Sequence, residues 1–218
     1  MAKGKFITFE GGEGAGKSTQ TRALAQKLRK AGLHVLETRE PGGTAGAELI
    51  RRLVKDGAIE ALGPFAEAIV LAAARDDHLT QIIRPALDAG TWVICDRFSD
   101  STRAYQGAGG GVDADILARL EELTVGETRP DLTLILDAPP KIALARVEER
   151  SRSARNSNVA VDRFEKESVA FHQNLRDAFL AIAKAEPDRC IVIDATASPA
   201  EVTKRIWEAV SQRFAVKA

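Results

Sequence analysis

The segment Gly11–Ser18, with the sequence GGEGAGKS, restricts the possible fold of this chain more than any other feature. It follows the apolar run KFITFE and opens a segment of helical periodicity, the position of a phosphate-binding loop between the first strand and first helix of an α/β domain. Its glycines allow a tight turn that presents backbone N–H groups to a polyphosphate. The loop predicts a nucleoside triphosphate site formed by Gly11, Gly12, Glu13, Gly14, Ala15, Gly16, Lys17, Ser18 and Thr19.

Charged and hydroxyl side chains at this site point to phosphoryl chemistry. We expect Lys17 to contact the β- and γ-phosphates as a catalytic cation, and Ser18 to offer its hydroxyl group to Mg²⁺. Asp96 ends the apolar run WVICD, so it should reach the carboxyl edge of the sheet, where ligands of open α/β folds bind. Ser18 and Asp96 are therefore the predicted Mg²⁺ residues. Arg97 follows directly and can bind a phosphate group through two nitrogens.

Short β-branched and aromatic runs alternate with longer helical segments, a pattern typical of βαβ units and a parallel sheet. We expect one α/β domain over residues 1–218, with the P-loop NTPase fold and mobile loops at Gly107–Gly111 and Arg150–Val161. The predicted strands are Lys5–Phe9, Val35–Arg39, Trp92–Cys95, Leu132–Leu136 and Cys190–Ile193. The predicted helices are Ser18–Lys30, Pro64–Ala86, Ala114–Thr124, Lys141–Glu149, Phe164–Ala185 and Ala200–Phe214.

Composition argues against several other classes of protein. Basic and acidic side chains balance at 31 each, so the overall charge gives no reason to expect nucleic acid or an anionic membrane as a partner. The central apolar stretch Ala68–Ala74 is far shorter than the roughly 20 residues that span a bilayer. Cys95 and Cys190 lie in apolar runs and are predicted to be buried and inert. We expect a cytoplasmic protein without a signal peptide.

Arginines are concentrated around the end of the helix predicted at Lys141–Glu149. Arg146 and Arg150 are four residues apart and share a helical face, and Arg152 and Arg155 follow. On a lid over about residues 148–161, such arginines would clamp the phosphates of ATP and exclude water, which favours a kinase. Two alternatives stay open: a solvated basic turn, and a nucleotide-dependent switch ATPase.

No general base is evident, and transfer to a phosphate acceptor needs none, because that oxygen is already anionic near neutral pH. His34, His78 and His172 are scattered along the chain and are predicted to be structural or incidental.

Six segments, in order, make the chain resemble thymidylate kinases of the bacterial type over essentially its whole length: FEGGEGAGKST, TREPGGT, AAARDDH, DRFSDSTRAYQG, LTLILDAPP and DRFE. The resemblance implies five parallel strands flanked by helices, and transfer of the γ-phosphoryl group of ATP to dTMP with Mg²⁺. It also implies a homodimer. By this resemblance, the dTMP site comprises Glu13, Arg39, Leu71, Arg75, Arg97, Ser101, Thr102, Tyr105 and Gln106, with Asp162 and Glu165 as nearby acidic positions.

Within that site, the resemblance implies that Arg39 and Arg97 bind the acceptor phosphate. It also implies that Arg75 and Thr102 contact the thymine edge. The resemblance further implies that Tyr105 contacts the deoxyribose, where its bulk would disfavour a 2′-hydroxyl group. Glu13 is assigned to the region of the sugar 3′-hydroxyl and the phosphate. The resemblance therefore predicts a pocket selective for a deoxynucleotide.

Ala15 and Leu71 are the two positions that matter most in the comparison with this family. Family members have a catalytic arginine either in the phosphate loop or in the lid. Ala15 occupies the loop position here, so the resemblance assigns the role to Arg150, with Arg146 and Arg152 as alternates. Leu71 stands four residues before Arg75, where the family usually has a Phe that stacks on thymine.

Base stacking on an aromatic side chain can be worth about 1–3 kcal/mol, so Leu71 is expected to weaken or broaden base selection unless Phe65 or Phe98 compensates. A kinase for another nucleotide or for a deoxynucleoside therefore stays open. For a nucleoside, Glu10 or Glu13 would have to act as the base near the 5′-hydroxyl group.

Overall fold

The computed structural model describes residues 3–153 and 163–216, in which five parallel strands form one sheet in the order β2-β3-β1-β4-β5. The strands are β1 (Phe6–Glu10), β2 (Val35–Arg39), β3 (Trp92–Asp96), β4 (Leu132–Asp137) and β5 (Cys190–Asp194). This architecture confirms the predicted fold class, and each predicted strand agrees with the observed one to within one residue at either end.

The helices are α1 (Lys17–Lys30), α2 (Ala45–Lys55), α3 (Gly63–His78), α4 (Arg84–Asp88), α5 (Ser99–Thr102), α6 (Ala114–Thr124), α7 (Pro140–Ser153), α8 (Val169–Ala185) and α9 (Pro199–Phe214). Short 3₁₀ turns cover Glu60–Leu62 and Arg163–Lys166, and π-helical turns cover Leu79–Ile83 and Arg103–Gly109. Within the described residues, no single helix is long and apolar enough to cross a membrane. Among the described residues, one pair of helical segments, Ala45–Lys55 and Glu60–Asp88, bent by 81°, is long and apolar enough when taken together.

The central strand β1 is buried along its whole length because helices cover both faces of the sheet. Side chains alternate between the faces along a strand. Ile7 and Phe9 pack in the cluster that includes Leu24 of α1 and Ile206 of α9. Phe6 packs on the opposite face, in the cluster with Leu79. The near-continuous apolar sequence of the strands thus follows from burial on both sides.

Four predicted elements differ from the structure. The helix expected at Lys141–Glu149 continues to Ser153, so the start of the loop expected at Arg150–Val161 is helical. The single helix expected over Pro64–Ala86 is interrupted by the π-helical turn Leu79–Ile83, just before Pro85, whose nitrogen has no hydrogen to donate. The helix expected from Phe164 begins at Val169, because Ser168 caps it by accepting a hydrogen bond from the Phe171 N–H at 3.1 Å.

The loop expected at Gly107–Gly111 is helical as far as Gly109. The glycines here allow close packing, since a Cβ on Gly109 would lie 2.9 Å from the Phe171 ring. The sequence prediction also omitted α2, which Thr44 caps by accepting a hydrogen bond from the Ala47 N–H.

Every strand ends on an ionisable residue at the same edge of the sheet. The strand registers pair Arg39 with Asp96, Phe9 with Asp96, and Asp137 with Asp194. Because all strands are parallel, their charged carboxyl-terminal residues and the loops that follow meet at one edge. Ligand-binding groups are expected at this edge in open α/β folds.

Candidate active site

A cavity of about 520 Å³ lies at the carboxyl edge of the sheet. It brings together residues that are far apart in the sequence, from the phosphate loop, β2, α3, β3, α5 and α7. The predicted site residues that line it are Glu13, Gly14, Ala15, Gly16, Lys17, Ser18, Thr19, Arg39, Leu71, Arg75, Asp96, Arg97, Ser101, Thr102, Tyr105, Gln106, Arg146 and Arg150. Gly11 and Gly12 lie instead at a second, smaller cavity behind the loop.

The phosphate loop has no room for side chains at its tightest point. A Cβ on Gly14 would lie 2.0 Å from the Ala143 carbonyl oxygen, and Gly14 has a φ of +73°. Lys17 Nζ turns back to donate to the carbonyl oxygens of Gly11 at 2.9 Å and Gly12 at 2.8 Å. Burial, reinforced by the charge of Arg97, lowers the pKa of Lys17 to about 8. The loop therefore holds a buried cation at its centre.

The two predicted Mg²⁺ residues are in direct contact, because the Ser18 hydroxyl donates to Asp96 Oδ2 at 2.5 Å. A hydroxyl and a carboxylate are oxygen ligands of the kind that Mg²⁺ prefers, so these residues fit the ion. The described part of the chain contains no group of three or more His, Cys, Asp or Glu side chains that could hold a metal. An ion here would need further oxygens from nucleotide phosphates or water.

Arg97 is the centre of a polar cluster below the phosphate loop. Its φ of 69° is unusual for a residue with a side chain. The guanidinium group donates to Ser101 Oγ at 3.2 Å, to Tyr105 Oη at 2.9 Å and to the Glu13 carboxylate. Burial alone would raise the pKa of Glu13, but the charges of Arg97 and Lys17 lower it to about 2. Glu13 is thus an ionised carboxylate at neutral pH.

Glu10 is fully buried and holds the start of α5 in place. It accepts hydrogen bonds from the Phe98 N–H at 2.7 Å and from the N–H and Oγ of Ser101 at 3.2 and 2.6 Å. Burial and the charge of Asp100 raise its pKa to about 7. All of these contacts are internal, and Glu10 is not among the described residues that line the cavity. It is therefore badly placed to act as the base of a nucleoside kinase.

Arg75 and Thr102, predicted for the base edge, are hydrogen-bonded to each other at 3.0 Å. Leu71 lines the same part of the cavity. Phe98 is also in the wall but is completely buried and packs edge-to-face on Phe6, with ring centroids 4.9 Å apart. Phe65 is half exposed and is not among the described lining residues. Neither aromatic ring therefore replaces the stacking Phe.

The end of the cavity toward the lid carries the predicted arginines. Arg150 pairs with Glu165, and both line the cavity. Arg146 donates to the carbonyl oxygens of Ala195 at 2.9 Å and Thr196 at 3.3 Å, in the loop after β5. Arg152 is exposed and is not among the described lining residues. The predictions that involve Arg155, Asp162 and most of the lid lie outside the described residues.

The sequence analysis missed part of the cavity wall. Arg51 and Lys55 of α2 line it, as do Glu40 and the segment that includes Ala195 and Pro199. Arg51 and Lys55 are four residues apart, so they could have been predicted to share a helical face. Ala195 directly follows β5, so it could have been predicted to lie at the carboxyl edge of the sheet, where ligands bind.

Nearly the whole chain is similar to known thymidylate kinases. A family model described as thymidylate kinase matches residues 9–206. The thymidylate kinase of Bradyrhizobium sp. (strain ORS 278) is 54% identical over 212 residues, covering 97% of this chain and 92% of that protein. The thymidylate kinase of Rhodopseudomonas palustris is also 54% identical, covering 97% and 90%.

The crystal structure of thymidylate kinase from Ehrlichia chaffeensis is similar, with a TM-score of 0.75 and 32% identity over 95% of this chain and 99% of that chain. This chain therefore belongs to the thymidylate kinase family.

Proposed function

We propose that this protein transfers the γ-phosphoryl group of ATP to dTMP, giving ADP and dTDP for dTTP synthesis. The observation that carries the proposal is a single cavity lined by the phosphate loop and, next to it, by the cluster around Arg97, Tyr105 and Arg75. Such a cavity can hold two nucleotides with their phosphates facing each other. Membership of the thymidylate kinase family supports dTMP as the acceptor.

In this proposal the phosphate loop binds ATP. Lys17 exchanges its contacts with the Gly11 and Gly12 carbonyl oxygens for phosphate oxygens, and its positive charge offsets their negative charge. Ser18 and Asp96 would hold Mg²⁺, which neutralises charge on the β- and γ-phosphate oxygens when bound. The backbone N–H groups of the loop orient the donor.

The acceptor end fits a deoxynucleoside monophosphate. Arg97 and Arg39 would bind its phosphate, and the Tyr105 ring would occupy the space of a 2′-hydroxyl group. Arg75 and Thr102 would donate hydrogen bonds to the base edge, where thymine offers carbonyl oxygens. The ionised Glu13 anchors Arg97 and Tyr105, so that both side chains are fixed before substrate binds.

Catalysis then reduces to positioning and charge. The acceptor phosphate oxygen attacks the γ-phosphorus without prior loss of a proton, and the bond to the ADP oxygen breaks. Arg150, on a lid over about residues 148–161 of a single domain, would stabilise the charge on the transferring group and help to exclude water. A reaction between ATP and dTMP fits a cytoplasmic protein that needs neither nucleic acid nor membrane.

A coupled ADP-release assay tests the proposal. Wild-type protein is supplied with ATP, Mg²⁺ and one of dTMP, dUMP, dCMP, GMP or thymidine, and with no acceptor as the control. We expect kcat/KM to be greatest for dTMP. Fast ADP release without an acceptor would instead identify an ATPase, and a preference for thymidine would identify a nucleoside kinase.

We also propose that the protein is a homodimer, formed through α2, α3 and α6. Helix α3 contacts both α2 and α6, and these helices, together with the 3₁₀ turn Glu60–Leu62 before α3, carry a group of large exposed apolar side chains. The group consists of Leu49, Leu53, Leu62, Phe65, Ile69, Ile116 and Leu123, of which Leu123 is 82% exposed. Contiguous exposed apolar patches of this kind mark protein interaction sites.

A further inference from the structure

We propose that His78 and Glu40 are positioning residues that hold Arg75 in place for reading the acceptor base. Through Arg75 they would favour a base with a carbonyl oxygen at that edge over a base with an amino group. The inference rests on the proposed function, because it takes Arg75 to face the base.

Glu40 is the first link to Arg75. It follows β2, is 5% exposed, and uses both carboxylate oxygens. Oε2 accepts from Arg75 Nε at 2.7 Å, and Oε1 accepts from His78 Nδ1 at 3.1 Å. A carboxylate held at both oxygens cannot rotate without losing a bond, and a charged, buried hydrogen bond is costly to leave unmade. Glu40 therefore fixes the orientation of the Arg75 guanidinium from the Nε side.

His78 fixes Glu40 in turn. Its ring is completely buried, and Nε2 lies 2.7 Å from Thr38 Oγ1. A neutral ring with its hydrogen on Nδ1 satisfies both contacts, since it donates to Glu40 and accepts from the Thr38 hydroxyl. The hydrogen bonds thus run from Thr38 on β2 through His78 and Glu40 to Arg75 on α3.

The loop after β2 closes over the imidazole ring. A Cβ on Gly43 would lie 2.5 Å from His78 Cδ2 and Nε2, and 3.0 Å from Thr38 Oγ1. Gly43 also has a φ of +91°, which favours glycine. The ring is enclosed between α3 and this loop, so that its orientation, and with it that of Glu40, is set by packing as well as by hydrogen bonds.

This arrangement leaves one nitrogen of Arg75 for the ligand. Nε is bound to Glu40, and Nη2 donates to Thr102 Oγ1 at 3.0 Å and to the Phe98 carbonyl oxygen at 3.3 Å. Nη1 has no hydrogen-bond partner within residues 3–153 and 163–216, and Arg75 lines the cavity. A fixed donor suits the O4 acceptor of thymine or uracil, but it meets another donor in the amino group of cytosine.

The experiment compares kcat/KM for dTMP and for dCMP in His78→Ala, His78→Gln and Glu40→Gln, with the exposed His34→Ala as the matched control. We expect His78→Ala and Glu40→Gln to lower the dTMP/dCMP ratio by about tenfold, since a misplaced donor discriminates poorly between the two bases. The KM for dTMP should rise while the KM for ATP stays unchanged. His78→Gln keeps a side-chain donor for Glu40, so this variant should retain most of the dTMP/dCMP ratio. His34→Ala should match the wild type.

Thermal melts accompany the kinetics, and Glu40→Gln, which keeps the side-chain shape, decides the question if His78→Ala does not fold. Equal losses in kcat/KM for dTMP and for dCMP would overturn the inference. A change in the KM for ATP as large as the change in the KM for dTMP would also overturn it. A wild-type protein without preference for dTMP would overturn the proposed function instead. An unchanged ratio in the variants of a protein that does prefer dTMP would overturn only the role of His78 and Glu40.

Discussion

Lys17 is a buried cation that, in the proposed function, must keep its positive charge for ATP to bind. Burial lowers its pKa to about 8, so the free protein loses this charge at a lower pH than it would with an exposed lysine. We therefore expect kcat/KM for ATP to fall as the pH rises above about 8. Lys17→Met should remove the charge at every pH and lower turnover by roughly a thousandfold or more.

Steady-state rates between pH 6 and pH 10, with dTMP saturating, test both statements. Lys17→Arg is the control, because a guanidinium stays charged across this range and should abolish the decline even if its rate is low. Wild-type turnover in Lys17→Met would contradict the assignment of the phosphate loop.

The positions of single site residues could be predicted from the sequence to different degrees. Lys17 and Ser18 have a fixed spacing within a motif, and Asp96 ends an apolar strand, so their positions follow from local sequence. His78 was predicted to be structural or incidental, and the structure buries it between Glu40 and Thr38, contacts that the sequence did not indicate. Its partners are 38 and 40 positions away, and no periodicity in the sequence links them. Contacts between elements are set by packing and are not visible in local patterns.

At the scale of elements, α7 carries Arg150 to the mouth of the cavity. Its guanidinium pairs with Glu165 of the returning 3₁₀ turn and is 59% exposed on the side chain, so it can exchange this partner for a phosphate. We expect Arg150→Ala to lower kcat by about a hundredfold with little change in the KM for dTMP, because the contact would strengthen in the transition state.

Initial rates at varied dTMP and ATP measure this effect, with Arg152→Ala as the control on the same helix. If only the KM for dTMP changed, Arg150 would be a binding residue, and the catalytic role would move to another arginine. If Arg152→Ala caused the larger loss in kcat, that arginine would be the catalytic one.

Elements were predictable where one physical signal dominated. The central strands β1, β3 and β4 are short apolar runs that are mostly buried on both faces, and the bounds of all five strands were predicted to within one residue. Helices were harder, because their ends depend on single caps. Ser168 starts α8 five residues later than the apolar pattern suggested, and α2 was missed although Thr44 caps it. The π-helical turn before Pro85 depends on how α3 and α4 pack, which periodicity does not report.

At the scale of the whole molecule, the outer surface of α2, α3 and α6 should determine the assembly. Ile69 is 44% exposed on α3 within this apolar group. We expect Ile69→Glu to convert a dimer into a monomer at micromolar concentration, because a buried unpaired carboxylate is costly at an interface.

Sedimentation equilibrium gives the mass directly, to be compared with 23.5 kDa for one chain. Val192→Glu is the control, since Val192 is 43% exposed on β5, at the opposite edge of the sheet from β2. A wild-type protein with the mass of one chain, or an Ile69→Glu variant with an unchanged dimer mass, would contradict this assembly.

The left-handed backbone conformation of Arg97 bears on which substitutions evolution can accept at this position. A side chain in this conformation costs on the order of 1–3 kcal/mol, and glycine would remove most of that cost. Loss of the guanidinium would, however, leave the largely buried Glu13 carboxylate without its ion pair, which costs about 3–5 kcal/mol, so the ion pair outweighs the backbone strain. In a duplicated copy released from its function, Arg97 and Glu13 would therefore be expected to change together, because either change alone leaves the other charge unpaired.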